Sequence, residues 1–123
     1  MKKSELHAAS VDQLVEHFVS LCVEQGREMD RSDVPRVNRL FGDIEAVKQE
    51  LKSRPGDQRR ALIPLYQHEN MQVRLKAATA TLAIAPEAAR KALEDIKASG
   101  WMPQAAEASH AFWALDRGIF KPT

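Results

Sequence analysis

Apolar residues return at steps of three and four along almost the whole chain, and no stretch alternates apolar and polar residues as a half-buried strand does. That period restricts the fold to packed helices. Ser10-Val11-Asp12-Gln13 forms a capping box, in which a hydroxyl and an amide side chain satisfy the free amides of a helix start. Behind it Val11, Leu14, Val15, Phe18, Leu21 and Cys22 trace one stripe. Met29 continues the stripe seven residues after Cys22, so the helix is expected to pass through Gly26.

Asp30, Ser32 and Asp33 offer caps for a second helix with Pro35 in its first turn, where a missing amide proton does no harm. Its apolar face reads Val34, Val37, Leu40, Phe41, Ile44, Val47, Leu51, and Arg54-Pro55-Gly56-Asp57 stops it. A third helix carries Ala61, Leu62, Ile63, Leu65 and Tyr66, with a kink expected at Pro64. Asn70 caps a fourth, from Met71 to about Ile84, which is apolar nearly all round except for the line Gln72, Lys76, Thr79. A helix of that kind needs neighbours on several sides and belongs in the interior. A fifth starts at Pro86 and runs to about Ser99, where Gly100 ends it, and a sixth begins near Pro103 and ends at Gly118.

With 123 residues, one all-α domain over residues 10–118 is expected, between a flexible tail at 1–9 and another at 119–123. Eighteen basic and seventeen acidic residues leave a net charge of +1, so no single-sign field exists to hold a phosphate backbone or an anionic membrane. The one cysteine, Cys22, excludes an internal disulfide and any multi-thiolate metal site. Its place on an apolar stripe reads as a packed thiol rather than a nucleophile. No apolar run reaches signal-peptide or membrane-spanning length, so a cytoplasmic protein is expected.

Sliding the chain by 31 residues lays the third and fourth helices on the fifth and sixth. Ala61 falls on Ala92, Leu62 on Leu93, Leu65 on Ile96, Ala77 on Ala108, Ala80 on Ala111, Leu82 on Trp113, Ala83 on Ala114 and Ile84 on Leu115. Six helices would then form three stacked antiparallel hairpins, with the first two helices as an atypical leading pair.

The run His68-Glu69-Asn70-Met71-Gln72-Val73-Arg74-Leu75-Lys76-Ala77-Ala78, followed by Leu82, resembles the second-helix signature of HEAT-type repeats. Pro64 stands where the first helix of such repeats bends. With Asn38-Arg39-Leu40-Phe41 and Leu82-Ala83-Ile84-Ala85-Pro86, the pattern over about residues 10–118 is also similar to a small bacterial family known only as a domain of unknown function. The resemblance implies a short HEAT-like α-α superhelix and assigns no catalytic residue. Ala105 replaces the arginine at the position equivalent to Arg74, a departure from the repeat pattern.

Chemistry is sparse. The four histidines, His7, His17, His68 and His110, form no His-x-x-x-His pair, and Glu16-His17 and His68-Glu69 are adjacent residues that diverge on a helix. The five glycines are isolated, so no phosphate-cradling loop exists. Glu94-Asp95 pairs two carboxylates on an outer face with nothing to desolvate them. We therefore expect no enzyme, no cofactor and no metal. Arg74 is expected to span to an acidic group, Glu69 or one on the last helix.

A binding role remains. Second helices of stacked hairpins line one side of the array, and the 31-residue offset sets Lys76 over Glu107 and Thr79 over His110. With Gln72 these form a polar ladder, flanked by Asn38, Arg39 and Asp43, that we take as the recognition surface. Trp101, Phe112, Trp113 and Phe120 are four of the seven aromatics. They read first as an end cap for the stack, with Trp101, in a turn, the most exposed and usable as a hot spot. The expected partner is another protein, and by analogy of fold and size the class is an immunity or antitoxin-type protein sequestering a toxin or effector. The alternative is a nucleic-acid-binding helical repeat using Lys52, Arg54, Arg59 and Arg60. That half of the chain is charge-neutral, and no aromatic interleaves with those cations.

Overall fold

The computed structural model describes all residues, 1–123, as seven helices with no strand. It divides into two compact units, Met1–Ala61 and Leu62–Thr123.

The first unit holds α1 (Lys3–Ala8), α2 (Val11–Asp30) and α3 (Val34–Ser53). The capping box forms as read: the Gln13 amide donates to Ser10 Oγ at 3.1 Å and the Ser10 amide donates to Gln13 Oε1 at 2.8 Å. α2 runs unbroken through Gly26. Asp33 caps α3 through the Arg36 amide, and Pro35 lies in the first turn. Residues 31–33 turn the chain so that the start of α3 meets the end of α2. There Gln25 Nε2 donates to the Val37 carbonyl at 3.3 Å, and Arg36 pairs with Glu24 and Glu28. Leu14, Phe18, Leu21 and Cys22 of α2 are buried, as are Leu40, Ile44, Val47 and Leu51 of α3. Val34 and Phe41, expected on the apolar face, are exposed. The inward stripe follows 40, 44, 47, 51, and residue 41 lies a further 100° around the helix.

Within residues 1–9, expected as a flexible tail, Lys3–Ala8 forms a helix. α1 buries Leu6, and Arg54 Nη2 is shared among the carbonyls of Leu6 (3.1 Å), His7 (3.3 Å) and Ala9 (2.8 Å). Glu50 holds Arg54 from behind at 2.7 Å. That hydrogen bond keeps the Glu50 carboxyl below its ordinary range, with lesser help from charge attraction to Arg54 and His7 against the opposing effect of burial.

The expected third helix is not a kinked α-helix. Gln58–Gln67 winds as a 3-10 helix containing Pro64. A proline there has no amide to donate and would clash with the carbonyl four residues back in an α-helix, so the tighter winding takes over. In the second unit, α4 (Met71–Ala80), α5 (Pro86–Ser99) and α6 (Gln104–Asp116) pack on one another. Asn70 caps α4 through the amides of Gln72 and Val73, and Gly100 ends α5 at φ +67°. Leu75, Ala78, Leu82, Ala89, Leu93, Ile96 and Ala108 form the core, with Tyr66, Met71, Phe112 and Phe120 packed against it.

α4 is interior, as its all-round apolar sequence requires, but it stops at Ala80 instead of Ile84. The Thr81 hydroxyl donates back to the carbonyls of Ala77 and Ala78, and Pro86 disfavours helix at the residue before it. This limits the repeat. Leu62 and Leu93 are both buried, as are Ala77 and Ala108, but Leu82 is buried where Trp113 is exposed, and Ala83 is exposed where Ala114 is buried. α6 continues as helix through the positions at which α4 has already turned.

Candidate interaction surface on the last helix

α6 turns Pro103, Ala106, Glu107, His110, Trp113 and Arg117 outward at helical spacing, and all six are exposed. Gly118, at φ +69°, reverses the chain beyond the helix. The Ile119 and Phe120 amides then both donate to the Ala114 carbonyl, at 2.9 and 3.2 Å. The returning residues wall a groove of about 610 Å³. Ala106, Ala111 and Ala114 line it together with Pro103, Glu107, His110, Ile119 and Phe120.

Aromatic contacts join side chains along the outer face of α6. The His110 and Trp113 rings stack at 5.4 Å with 22° between planes, and the Arg117 guanidinium lies 4.6 Å from the Trp113 ring centre. In the turn before α6, on the helix and just after it, large apolar side chains stay in water: Trp101 is 64% exposed, Met102 66%, Ile119 65% and Trp113 44%. Phe112, by contrast, turns inward as an end cap does, with Lys97 Nζ 5.9 Å above its ring.

The structure separates the residues of the expected ladder. Glu107 and His110 line the groove, and Trp101 is exposed in the turn before α6. Gln72 leaves the surface. It is 3% exposed, and its Oε1 accepts from Gln104 Nε2 at 2.9 Å inside the unit. Thr79 is half-buried on α4, its hydroxyl bonded to the carbonyls of Leu75 and Lys76, and Lys76 is half-buried too. Neither lines the groove. Asn38, Arg39 and Asp43 are exposed on α3 of the first unit, beside exposed Phe41. Sequence reasoning missed Met102, Ala106 and Ile119, and read Phe120 as an end cap, not as groove lining. The legible signal was the Gly118-Ile119-Phe120 run, two large apolar residues directly after a helix stop.

Arg74 donates through Nε to the His68 carbonyl and forms no ion pair, which corrects the expected bridge to Glu69 or to the last helix. The carbonyl at the turn before α4 is nearer than any carboxylate. In the basic cluster, Arg54 is committed to Glu50 and the end of α1, and Arg59 pairs with Asp57 at 2.7 Å. The Arg59 hydrogen bond holds the Asp57 carboxyl below its usual range, against the opposing pull of burial. No three of the His, Cys, Asp and Glu side chains come together as metal ligands. No helix is long and apolar enough to cross a membrane.

The family described as Domain of unknown function (DUF2019) matches residues 12–116. Among solved structures the chain is similar to the crystal structure of the protein RPA1889 from Rhodopseudomonas palustris CGA009. Identity is 47%, the TM-score is 0.92, and the match covers 96% of this chain and 98% of that one. No curated protein matches the sequence.

Proposed function

We propose that this chain, which belongs to the DUF2019 family, is a cytoplasmic, non-enzymatic protein-binding module whose recognition surface is the outer face of α6 with the returning C-terminal residues. The observation that carries the reading is the set of exposed large apolar side chains in and next to α6, Trp101, Met102, Trp113 and Ile119, the last of which lines the groove. Leaving such groups in water costs free energy that a partner recovers on docking, and fixed aromatic anchors are the side chains on which interfaces concentrate their binding energy. Glu107 and His110 supply a polar edge that orients what enters. Within this reading the partner is a toxin or effector that the protein sequesters, as immunity and antitoxin-type proteins do; the support is size, an all-helical fold and a surface without assembled chemistry.

The HEAT-like arrangement of stacked hairpins is part of the same proposal. Its support lies in the second unit, in the matched burial of Leu62 with Leu93 and of Ala77 with Ala108 across the 31-residue offset. The nucleic-acid alternative loses support from the pairing of Arg54 with Glu50 and of Arg59 with Asp57, which removes two cations from the cluster on which it relied.

The test compares the wild-type chain with Ile119→Glu and Trp113→Ala as baits in lysate of the source organism. A protein retained by the wild type and lost from both variants, at unchanged melting temperature, supports the surface. Equal recovery by all three baits, or a bound species that is nucleic acid displaced by moderate salt, overturns it.

A further inference from the structure

We infer that the second unit carries a separate binding pocket for a carboxylate on a short aliphatic stem, with Arg74 as the residue that grips it. Nothing in this inference depends on the α6 groove, and the two sites share no residue.

Arg74 is half-buried in the first turn of α4, where the positive end of the helix dipole disfavours a cation. Its Nε–H is used by the His68 carbonyl. The two terminal amino groups, which carry four of the five guanidinium protons, meet no acceptor in the protein, and no carboxylate neutralises the charge. A guanidinium held by one edge, with its fork idle, is preorganised for bidentate capture of a planar anion.

The space beside it suits that anion. Arg74 lines a pocket of about 250 Å³ between the 3-10 helix, α4 and α5, below the roughly 300 Å³ at which drug-sized sites begin. Ala88, Ala92 and Ile96 give it an apolar wall for a short stem. The Tyr66 hydroxyl is already engaged with Thr81, so its ring adds apolar surface and not a free donor. Lys91 and Asp95, also in the lining, pair with each other at 2.6 Å and cancel. The net charge of the lining is thus that of Arg74. An anion with an apolar stem fits better than a bare inorganic ion, which would leave the alanine and isoleucine wall unused. Two sources share the chemistry: a free short-chain acid, and a glutamate side chain presented by a protein.

Sodium butyrate and the blocked tripeptide acetyl-Ala-Glu-Ala-amide are the probes, titrated at constant ionic strength while two-dimensional NMR follows the amides of Ala88 and Ala92 and the Arg74 Nε–H. Saturable shifts confined to these signals are expected. Response to butyrate alone identifies a free acid, and response to the peptide identifies a protein side chain. Arg74→Lys keeps the charge but loses the fork and weakens binding about tenfold. Ala88→Leu fills the pocket from an exposed helix position, without touching Arg74, and abolishes binding, so the test stands even if Arg74→Lys misfolds. Absent or non-saturable shifts, equal shifts with sodium phosphate, or unchanged binding by Ala88→Leu overturn the inference.

Discussion

Arg54→Ala should release α1 while leaving the α2–α3 pair intact. A six-residue helix has no independent stability in water, so α1 depends on its contacts. Two contacts are evident: the burial of Leu6, worth about 1.5–3 kcal/mol, and the grip of Arg54 on three carbonyls. One hydrogen bond from a charged donor contributes about 1.5–3 kcal/mol. A single Nη2 shared among three carbonyls, all of which regain water when released, supports a loss of about 2 kcal/mol rather than three times one bond. Local opening of α1 would then rise roughly 30-fold. Native-state hydrogen exchange reads this directly. The amides of Leu6 and Ala9, bonded to Lys2 and Leu6, should exchange roughly 30-fold faster, while the Leu14 amide, bonded to Ser10, stays unchanged as the reference. Arg54→Lys keeps a charge beside Glu50 but not the reach of the guanidinium, and should show most of the same effect. Unchanged protection at Leu6 and Ala9, or equal acceleration throughout α2, would refute the clamp.

Leu93, fully buried on α5 within the second unit's core, should cost about 3 kcal/mol when cut to alanine, lowering the melting temperature by roughly 10 °C in a calorimetric scan. In the buried Gln72–Gln104 pair, Gln104 Nε2 donates to Gln72 Oε1 at 2.9 Å, so Gln104→Leu takes a hydrogen bond from a buried acceptor and should cost about 1–3 kcal/mol by urea titration. Acid should weaken the first unit in two stages. The His17 pKa is lowered chiefly by burial and next by the terminal ammonium, so the unfolded chain protonates first, and stability present above about pH 6.5 is lost as pH falls through the folded value. Glu50 and Asp57 are held down by their arginines, so stability present above their ordinary values of 4.5 and 3.8 is lost as pH falls through the lower folded values. Melting curves from pH 8 to 3 should show both declines, with His17→Gln flattening the first and Glu50→Gln the second.

What could be read from the sequence is what local chemistry decides. The capping box at Ser10, the cap at Asn70, the prolines in first turns and the stop at Gly100 act within a few residues, and the structure has each of them. α1 was invisible because its stripe is one leucine and its anchor, Arg54, lies 48 residues from Leu6. The end of α4 depended on Thr81 folding its hydroxyl back on the helix, a choice that a run of apolar residues through Ile84 concealed. Gln72 looked exposed because a helical wheel sets it in line with Lys76 and Thr79; its burial comes from a partner amide 32 residues away. Glu107 and His110 were chosen by the 31-residue offset from Lys76 and Thr79, and the structure places them, unlike those two, in the lining of the groove. The groove beside them needed Ile119 and Phe120 to fold back through Gly118, which no helical periodicity encodes.

Hydroxyl-radical footprinting of the complex with its isolated partner probes the recognition surface residue by residue. Trp101, Met102, Trp113 and Ile119 should lose reactivity together on binding, while exposed Val34 and Phe41 keep theirs. Protection confined to α3 or to the Lys52–Arg60 segment, with the four C-terminal side chains still fully reactive, would contradict recognition through α6.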